Sequence, residues 1–480
     1  MSLHRRLTVV AVIAVLAVIA GGNIATAATA PRPNLVFILA DDLGFGEVSF
    51  NGQKRYATPN IDRIAREGMA FVQAYAGSTI CAPSRNALMT GHHTGHASVR
   101  NNFAGGGSGG DRVALKPSDT TIAQRLRGAG YTTALIGKWG LGEPETESAP
   151  WRKGWDFFYG FVNQAQAHNQ YPEFLYRQLT PEPLAENFGH KEGVYANDRF
   201  TEEGLAFLAR AAADRKPFYL FMSYTTPHSD LRCPSDSIEE VKKANAWARE
   251  RGARESSLIF SAMMLRLDRD VGRLLDKIKA LGLDDSTLVI FTGDNGAHSE
   301  DDKDNEFFAA SGRFRGIKRD LFEGGIREPF FARWPGRVAP GSTSEHVLAF
   351  WDFSATALEL AGQPRPADLP AEGVSFAPTL LGRTRDQTKH DHLYWEISIK
   401  GEARQAVRED RWKAVRNGLT AKLELYDLAT DSGETNDVAD KNPNLVARFT
   451  AMLAADHVDN PDFPLTPGAA SKIKNKSKKP

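Results

Sequence analysis

Short continuous apolar runs recur along the first part of the chain, at residues 35–40, 133–136, 218–224 and 288–291. Their apolar residues are consecutive and do not alternate with polar ones, which is typical of strands in a parallel sheet covered on both faces. Segments with helical spacing and capping signals lie between the runs, at 58–67, 121–127 and 257–281. Strands that alternate with helices predict an α/β fold, with a large, mostly parallel sheet sandwiched by helices.

The pattern changes after residue 362. Three prolines mark a passage rich in loops, and four short strand-like segments follow, at 392–395, 405–408, 412–415 and 423–428. A helix is predicted near 445–455. We therefore expect a large domain over residues 31–365 and a smaller C-terminal domain over 366–465, built from an antiparallel sheet and a packing helix. Residues 466–480 are rich in lysine and predict a disordered basic tail.

The first 30 residues have the pattern of a signal peptide. Arg5 and Arg6 precede an apolar run at 7–20, and small residues suited to cleavage end at Ala27 and Ala30. This run is shorter than the roughly 18 residues that a membrane span needs. The sequence thus predicts an exported protein, periplasmic or secreted after cleavage near Ala27 or Ala30, without a stable membrane anchor. An uncleaved anchor is the alternative.

Charge and cysteine content narrow the classes of function. Of the 480 residues, 59 are Lys or Arg and 59 are Asp or Glu, so the formal net charge is zero. No global field attracts nucleic acid, and we expect no such partner. Cys81 and Cys233 are the only cysteines, too few for a disulfide scaffold. A disulfide between them is compatible with export and would exclude a chemical role for Cys81.

Polar residues follow each of the four apolar runs. In chain order they are Asp41-Asp42, Lys138, His228 and Asp294-Asn295. The carboxyl ends of parallel strands meet at one edge of a sheet, where ligands bind. Carboxylate and amide oxygens select Ca²⁺ or Mg²⁺, whereas zinc prefers nitrogen and sulfur. Either acidic pair alone would more often serve a turn or a helix cap. Two such pairs at the ends of two strands favour a site for one divalent cation.

Cys81 lies in the segment 78–91, which reads Ser-Thr-Ile-Cys-Ala-Pro-Ser-Arg-Asn-Ala-Leu-Met-Thr-Gly. A single cysteine is most often a small buried hydrophobic residue. Here Pro83 disfavours a helix ahead of it, and we expect a helix from Asn86 onward. A group at the start of a helix faces its positive end, where oxyanions bind, and Arg85 adds a planar donor fork. The segment therefore predicts a chemical role for Cys81.

This segment, with its Cys-x-Pro-Ser-Arg and Leu-Met-Thr-Gly motifs, resembles the maturation signature of the type I sulfatases, arylsulfatase-like members of the alkaline phosphatase superfamily. The resemblance covers about residues 33–362 and, more loosely, 424–437. Its further motifs are Asp41-Asp42, Gly-Lys-Trp at 137–139, Asp-Asn-Gly at 294–296, and Lys318 with Glu-Gly-Gly-Ile-Arg at 323–327. It implies a sulfate ester hydrolase in which a formylglycine-generating enzyme oxidises Cys81 to formylglycine.

The resemblance also implies a role for each matching residue. The ligands of one Ca²⁺ would be Asp41, Asp42, Asp294, Asn295 and the modified Cys81. Arg85 and Lys138 would hold and neutralise the aldehyde hydrate. Lys318 and His228 would bind the sulfate ester and protonate the leaving alcohol. His298 is a further candidate contact to metal or substrate, with a surface-loop role as the alternative.

The implied chemistry uses both hydroxyls of the hydrated aldehyde. One attacks sulfur as the alcohol leaves, and deprotonation of the second then expels sulfate and restores the aldehyde. Many family members place the base for this second step two residues after the lysine, where this chain has Gly140. Our candidate base is His168. Contact of this loop histidine with substrate or solvent is the alternative.

Two other functions stay open. A phosphodiesterase or phosphonate hydrolase of the same superfamily would share the fold and the aspartates, although a two-metal enzyme favours Ser or Thr as nucleophile and several His ligands. An inactive homologue that binds sugar sulfates is indicated only by Gly140. For a sulfatase, aromatic residues such as Tyr171 and Phe174 do not decide between a sulfated sugar and an aryl sulfate. A further cluster, without a complete zinc ligand set in the sequence, is formed by His92, His93 and His96.

Overall fold

The structure, a computed structural model, describes residues 32–103 and 113–465. The predicted signal peptide and basic tail lie outside the described residues. The strands are β1 (Asn34–Ala40), β2 (Met69–Phe71), β3 (Ala74–Tyr75), β4 (Thr132–Lys138), β5 (Phe157–Phe161), β6 (Phe174–Arg177), β7 (Thr180–Pro183), β8 (Phe218–Ser223), β9 (Thr287–Gly293), β10 (Phe330–Arg333), β11 (Ser342–Ser344), β12 (Leu348–Ala349), β13 (Leu393–Ile399), β14 (Glu402–Glu409), β15 (Trp412–Asn417) and β16 (Glu424–Asp427).

The helices carry no segment suited to a bilayer: none in the described residues has the length and apolar character that a membrane crossing needs. They are α1 (Pro59–Arg66), α2 (Cys81–Thr90), α3 (Ile122–Gly128), α4 (Ala196–Asp214), α5 (Ser235–Ala244), α6 (Glu255–Ala280), α7 (Asn305–Phe308), α8 (Glu323–Ile326), α9 (Phe353–Leu360), α10 (Ala377–Leu380) and α11 (Pro443–Ala455).

Ten strands form the central sheet, in the order β11-β2-β10-β9-β1-β8-β4-β5-β6-β7. The five strands from β9 to β5 are parallel to one another, and antiparallel neighbours extend the sheet at both ends. The four apolar runs of the sequence are β1, β4, β8 and β9, and all but the first residue of β4 are buried. The predicted large, mostly parallel sheet is confirmed.

Helices cover both faces of this sheet, as predicted. Val36 and Ile38 of β1 join one apolar core with α4 and α6. Phe37 and Leu39 point to the opposite face and join a second core with α2, α3 and α9. Because both faces are buried, the central strands have no polar side to alternate with, which explains their continuous apolar sequences.

A separate antiparallel sheet follows in the order β13-β14-β15-β16, which confirms the predicted C-terminal sheet and helix. One face packs against Phe449 and Leu453 of α11. The other face shares a core with Ala87 of α2 and with Trp351. The small sheet therefore supports the helix that begins with Cys81. The domain limits proposed from the sequence stay predictions.

The helix that carries the cysteine motif begins earlier than predicted. α2 starts at Cys81, not at Asn86, and Pro83 lies inside its first turn. The prediction was wrong because the first N–H groups of a helix have no partner within the helix, so a proline there costs no hydrogen bond. The fixed φ of proline also suits the first turn. Cys81 is therefore the first residue of the helix, which follows an extended Ile80.

A buried ion-pair group joins β15 to the large domain. Lys413 Nζ lies 3.0 Å from Glu323 Oε1 and 2.9 Å from Glu434 Oε1, and the three side chains are fully enclosed. Lys413→Met removes the cation that both buried carboxylates share. Glu323 keeps Arg327 at 2.8 Å, whereas Glu434 loses its cationic partner. We therefore expect a loss of about 3–5 kcal/mol in the free energy of unfolding. Urea titration measures this loss. Lys422→Met, which removes an exposed partner of Asp440, is the matched control and should leave the midpoint unchanged. Equal midpoints for both variants would contradict the prediction.

Candidate active site

The carboxyl ends of β1 and β9 bring four oxygen-bearing side chains together. The strands are parallel neighbours with Ala40 opposite Gly293, so the residues that follow emerge side by side. Asp42 N donates to Asp294 Oδ1 at 2.9 Å, and Asn295 Nδ2 donates to Asp42 Oδ1 at 2.7 Å. The members of this carboxylate cluster, all without exposed surface, are Asp41, Asp42, Asp294 and Asn295.

Cys81 faces the carboxylate cluster from the start of α2. Its Sγ lies 3.3 Å from Asp41 Oδ1 and 3.7 Å from Asp42 Oδ1. Burial and the charge of Asp41 raise the pKa of the Cys81 thiol well above its usual value. The thiol is therefore protonated and is a poor nucleophile in this form. Cys81 and Cys233 are both free, so the disulfide alternative is not realised in the structure.

A cationic side chain lies against each carboxylate of the cluster. The pairs are Lys138 Nζ with Asp41 Oδ2 at 2.7 Å, Lys318 Nζ with Asp42 Oδ2 at 2.5 Å, and Arg85 Nη2 with Asp294 Oδ2 at 2.8 Å. Burial alone would raise the pKa of Asp41, but Lys138 and Arg85 hold it well below its usual value. Burial opposes the same shift at Asp42, where His228 and Lys318 lower the pKa to about 2. Both carboxyls are therefore ionised at neutral pH.

Ser223, at the end of β8, holds Arg85 in place and was not predicted. Its hydroxyl lies 2.5 Å from Arg85 Nη1 and donates to the Lys138 carbonyl at 2.7 Å. Arg85 Nη1 also donates to that carbonyl at 3.2 Å. The only signal in the sequence is a serine at the end of an apolar run. Its contact with Lys138 could not be predicted, because it depends on the pairing of β8 with β4.

Two histidines lie at one side of the carboxylate cluster. His228 Nε2 is 3.2 Å from Asp42 Oδ2 and 3.2 Å from Lys318 Nζ. Burial lowers the pKa of His228 to about 3, although Asp42 opposes the shift. The ring of His168 stacks on that of His228, with centroids 4.6 Å apart, and keeps exposed surface. His168 thus reaches the site from the loop after β5.

His298 lies behind His228 with its ring nitrogens already bonded. The two rings are nearly parallel, with centroids 6.0 Å apart. His298 Nε2 contacts the Pro227 carbonyl at 3.0 Å, and Nδ1 accepts from Glu300 N at 3.3 Å. The structure thus gives both ring nitrogens protein partners. The predicted contact of His298 with metal or substrate stays a prediction.

The carboxylate cluster fits a hard divalent cation. Asn295 Oδ1 is buried and has no hydrogen-bond partner among the described residues, although its Nδ2 is bonded. Burial and the charge of Asp41 raise the pKa of Asp294 to about 7. This shift indicates that the cationic side chains do not fully neutralise the negative charge of the cluster. Ligand atoms of Asp41, Asp42, Cys81 and His228 lie within 4.8 Å of one another. An orphaned amide oxygen among carboxylates is the environment that Ca²⁺ prefers.

The histidine cluster after α2 gains a partner that the sequence did not indicate. His92 Nδ1 and His96 Nδ1 lie 3.1 Å and 2.9 Å from the same oxygen of Glu372. Imidazole N–H groups that donate to a carboxylate account for these contacts without an ion.

Comparisons with known proteins identify the family of the chain. The family model described as Sulfatase matches residues 33–363, and that for the C-terminal part of N-sulphoglucosamine sulphohydrolase matches 314–456. Arylsulfatase G of Rattus norvegicus is 31% identical over 480 aligned residues, with 88% of this chain and 86% of that protein covered. N-acetylgalactosamine-6-sulfatase of Mus musculus is 30% identical, with 84% and 76% covered.

The crystal structure of Ps i-CgsB shares the fold, with a TM-score of 0.75 and 26% sequence identity over 91% of this chain and 95% of that one. The family match spans the cysteine motif, both strands that carry the carboxylate cluster and the two lysines that pair with it. On this evidence the chain belongs to the sulfatase family, whose members are sulfuric ester hydrolases.

Proposed function

We propose that the protein is an exported sulfatase that removes sulfate from sulfated carbohydrates, using a formylglycine made from Cys81 and one Ca²⁺. The position of Cys81 carries this proposal. It begins a helix, faces two carboxylates and has a protonated thiol with no exposed surface. As a thiol it is a poor nucleophile, whereas an oxidised side chain there would present oxygen to a hard cation. We infer that a formylglycine-generating enzyme supplies this oxidation.

The residues present fit both groups. Ca²⁺ would be held by the oxygens of the carboxylate cluster and by the modified Cys81. Bound together, the ion and the formylglycine would supply an acidified hydroxyl able to attack sulfur. Arg85 and Lys138 lie beside Asp41 and Asp294, where we assign them to hold and neutralise the hydrated side chain.

Lys318 is the proposed proton donor to the leaving alcohol. His228 Nδ1 contacts the Ser229 carbonyl, so this nitrogen carries the ring proton and Nε2 has a free lone pair. Lys318 Nζ, 3.2 Å from Nε2, donates to it. The pKa of Lys318 is raised by Asp42, against the opposing effect of burial, so its ammonium is charged. We therefore propose that His228 orients Lys318 and binds the ester, with His298 supporting its ring from behind.

His168 is the proposed base for the second hydroxyl. Burial and the positive charge of Lys138 lower its pKa to about 4, so its ring is neutral and can accept a proton above about pH 4. His168→Ala should lower kcat about 10²-fold, because the step that it assists follows the departure of the alcohol. In the wild type kcat should fall as pH drops through this pKa, and the variant should lose that acid limb. The pH profile of kcat at saturating substrate measures both effects.

His96→Ala is the matched control for His168→Ala, because its ring contacts Glu372 and not the carboxylate cluster. Its profile should follow that of the wild type. An unchanged kcat of His168→Ala at saturating substrate would remove His168 as the base and favour its alternative role as a loop contact to substrate.

A sugar substrate is supported by two observations. The mouse relative is named an N-acetylgalactosamine-6-sulfatase, and Ps i-CgsB has been solved with k-i-k-neocarrahexaose. Beside His168, a cavity of about 430 Å³ is lined by Asn169, Tyr171 and Phe174, among others. Aromatic rings next to amide groups can stack on a sugar ring and bind its hydroxyls. We therefore propose that the sugar occupies this cavity.

Turnover of paired substrates tests the proposed function. The enzyme, shown to carry the aldehyde, should hydrolyse an aryl sulfate and N-acetylgalactosamine 6-sulfate, and should hydrolyse the matching aryl phosphodiester much more slowly. Preference for the phosphodiester would favour a phosphodiesterase or phosphonate hydrolase. Binding of the sugar sulfate without turnover would favour an inactive homologue.

A further inference from the structure

Gln164 occupies the space that a side chain at position 140 would need. The loops after β4 and β5 remain paired, since Gly140 N donates to the Val162 carbonyl at 3.1 Å. Gly140 has a φ of +73°, and a Cβ placed on it would lie 2.5 Å from Gln164 Oε1. That distance is far below van der Waals contact. Where many sulfatases carry a histidine, this chain therefore has a glycine and the amide of Gln164 above it.

The amide of Gln164 is buried and unpaired. The residue is 8% exposed, and neither Oε1 nor Nε2 has a hydrogen-bond partner among the described residues. Gln170, six positions later, is also buried but bonds to Asn197 and Thr225. A buried amide without partners is costly unless a ligand or a water satisfies it. Gln164 thus has the donor and acceptor capacity that a polar ligand would use.

The unpaired amide lies near the end of the Lys138 side chain. The same Cβ position at Gly140 is 3.6 Å from Lys138 Cε, so the Gln164 amide lies alongside the end of the Lys138 side chain. Lys138 Nζ binds Asp41, whose other oxygen is 3.3 Å from Cys81 Sγ. Lys138 thus links the Gln164 amide to the side at which an oxyanion on position 81 would be held.

We propose that Gln164 binds the sulfate group of the substrate, with its NH₂ donating a hydrogen bond to a sulfuryl oxygen. This inference rests on the proposed sulfatase function and names a further contact in the same site. A neutral amide does not accept a proton at working pH. Gln164 therefore fills the place of the missing histidine without taking its role as base, and the proton is left to His168.

Binding of inorganic sulfate to the calcium-loaded, aldehyde-bearing enzyme tests the proposal. Calorimetry should show that Gln164→Leu weakens sulfate binding about tenfold, the scale of one hydrogen bond to a charged group. The kcat/KM for an aryl sulfate should fall by a similar factor. Because the amide of Gln164 loses no partner in the free protein, the Tm should be unchanged or higher.

Gln178→Leu is the matched control. Its amide is fully used, since Oε1 accepts from Phe158 N at 3.1 Å and Nε2 donates to the Asp156 carbonyl at 2.7 Å. This variant should have a lower Tm and unchanged sulfate affinity. Gly140→Ala should displace Gln164 and weaken sulfate binding, and adding Gln164→Leu to it should have little further effect, because both changes remove one contact.

Two results with the Gln164 variant would overturn the proposal. The first is a sulfate affinity of Gln164→Leu within about twofold of the wild type, because the loss of one charged hydrogen bond predicts a larger change. The second is a fall in the Tm of Gln164→Leu like that of the Gln178 variant, with no loss of sulfate affinity. If the wild-type protein binds sulfate but hydrolyses no sulfate ester, the proposed function is contradicted instead. The sulfate affinity of Gln164→Leu, compared with that of the wild type, then decides the role of Gln164. Wild-type protein that hydrolyses a sulfate ester but binds no sulfate overturns the proposed contact and leaves the proposed function in place.

Discussion

Replacing Cys81 by serine is expected to lower kcat for a sulfate ester by about 10³-fold or more, the scale seen when a covalent nucleophile is lost. The serine keeps a single oxygen near Asp41 and Asp42, so it can occupy the position of one hydroxyl of the hydrate. It lacks the second hydroxyl whose deprotonation expels sulfate. Steady-state kinetics with an aryl sulfate, on protein whose fold is verified by circular dichroism, measures the loss.

Cys233→Ser is the matched control for Cys81→Ser. Cys233 is the other buried cysteine of the chain, and its substitution makes the same chemical change elsewhere. This variant should keep the wild-type kcat, even if its Tm falls. A Cys81→Ser enzyme with more than a tenth of wild-type activity would contradict the role assigned to Cys81, because a plain hydroxyl would then suffice.

Removal of divalent cations is expected to abolish turnover, and Ca²⁺ should restore it. In the proposed site Ca²⁺ would offset the charge of three carboxylates, of which Asp294 already has a pKa raised to about 7 by burial and by Asp41. Ca²⁺ at 100 times its Kd should stabilise the fold by about 2.7 kcal/mol, seen as a rise in Tm. Asp42→Asn should lose most of this rise as well as the activity.

Asp302→Asn is the control for the calcium experiment. Asp302 is an exposed acid in the loop after β9, so its loss should change neither the Tm rise nor the calcium dependence of kcat. A Tm that rises equally with Ca²⁺ in the Asp42 variant would place the ion elsewhere. Full activity after exhaustive chelation would contradict metal-assisted chemistry.

The strands that support the site could be predicted, because burial on both faces requires consecutive apolar residues. β1 and β9 are continuous apolar runs for that reason. β5 was not predicted, because its five residues Phe-Phe-Tyr-Gly-Phe contain a glycine and follow a loop. β2 and β10 were missed as well, since runs of three and four residues do not stand out from apolar segments of loops and helices.

The sequence predicted which residue types follow the strands of the candidate site, but not how these residues contact one another. The spacing of Asp41-Asp42 and Asp294-Asn295 suggested one ion site, but their contact depends on the pairing of β1 with β9, between residues 252 positions apart. No local pattern encodes that register. Gln164 could not be predicted at all, because its significance depends on the positive φ of Gly140 and on the partners that its amide lacks.

Histidine roles were the least predictable part of the site. The sequence assigned His228 to the sulfate ester and the leaving alcohol, and gave His298 only as a further candidate contact to metal or substrate. The structure places only His228 within hydrogen-bond distance of Asp42 and Lys318, whereas His298 bonds to backbone. Which ring nitrogen carries a proton follows from neighbours that only the folded chain supplies.

The most direct test of the central claim is the mass of the proteolytic peptide that contains Cys81. The protein is made beside a formylglycine-generating enzyme that is shown to act on a known substrate. We predict the mass of an aldehyde in place of the thiol, with the aldehyde fraction proportional to sulfatase activity across preparations. A free thiol in fully active protein, or a disulfide to Cys233, would contradict the formylglycine mechanism.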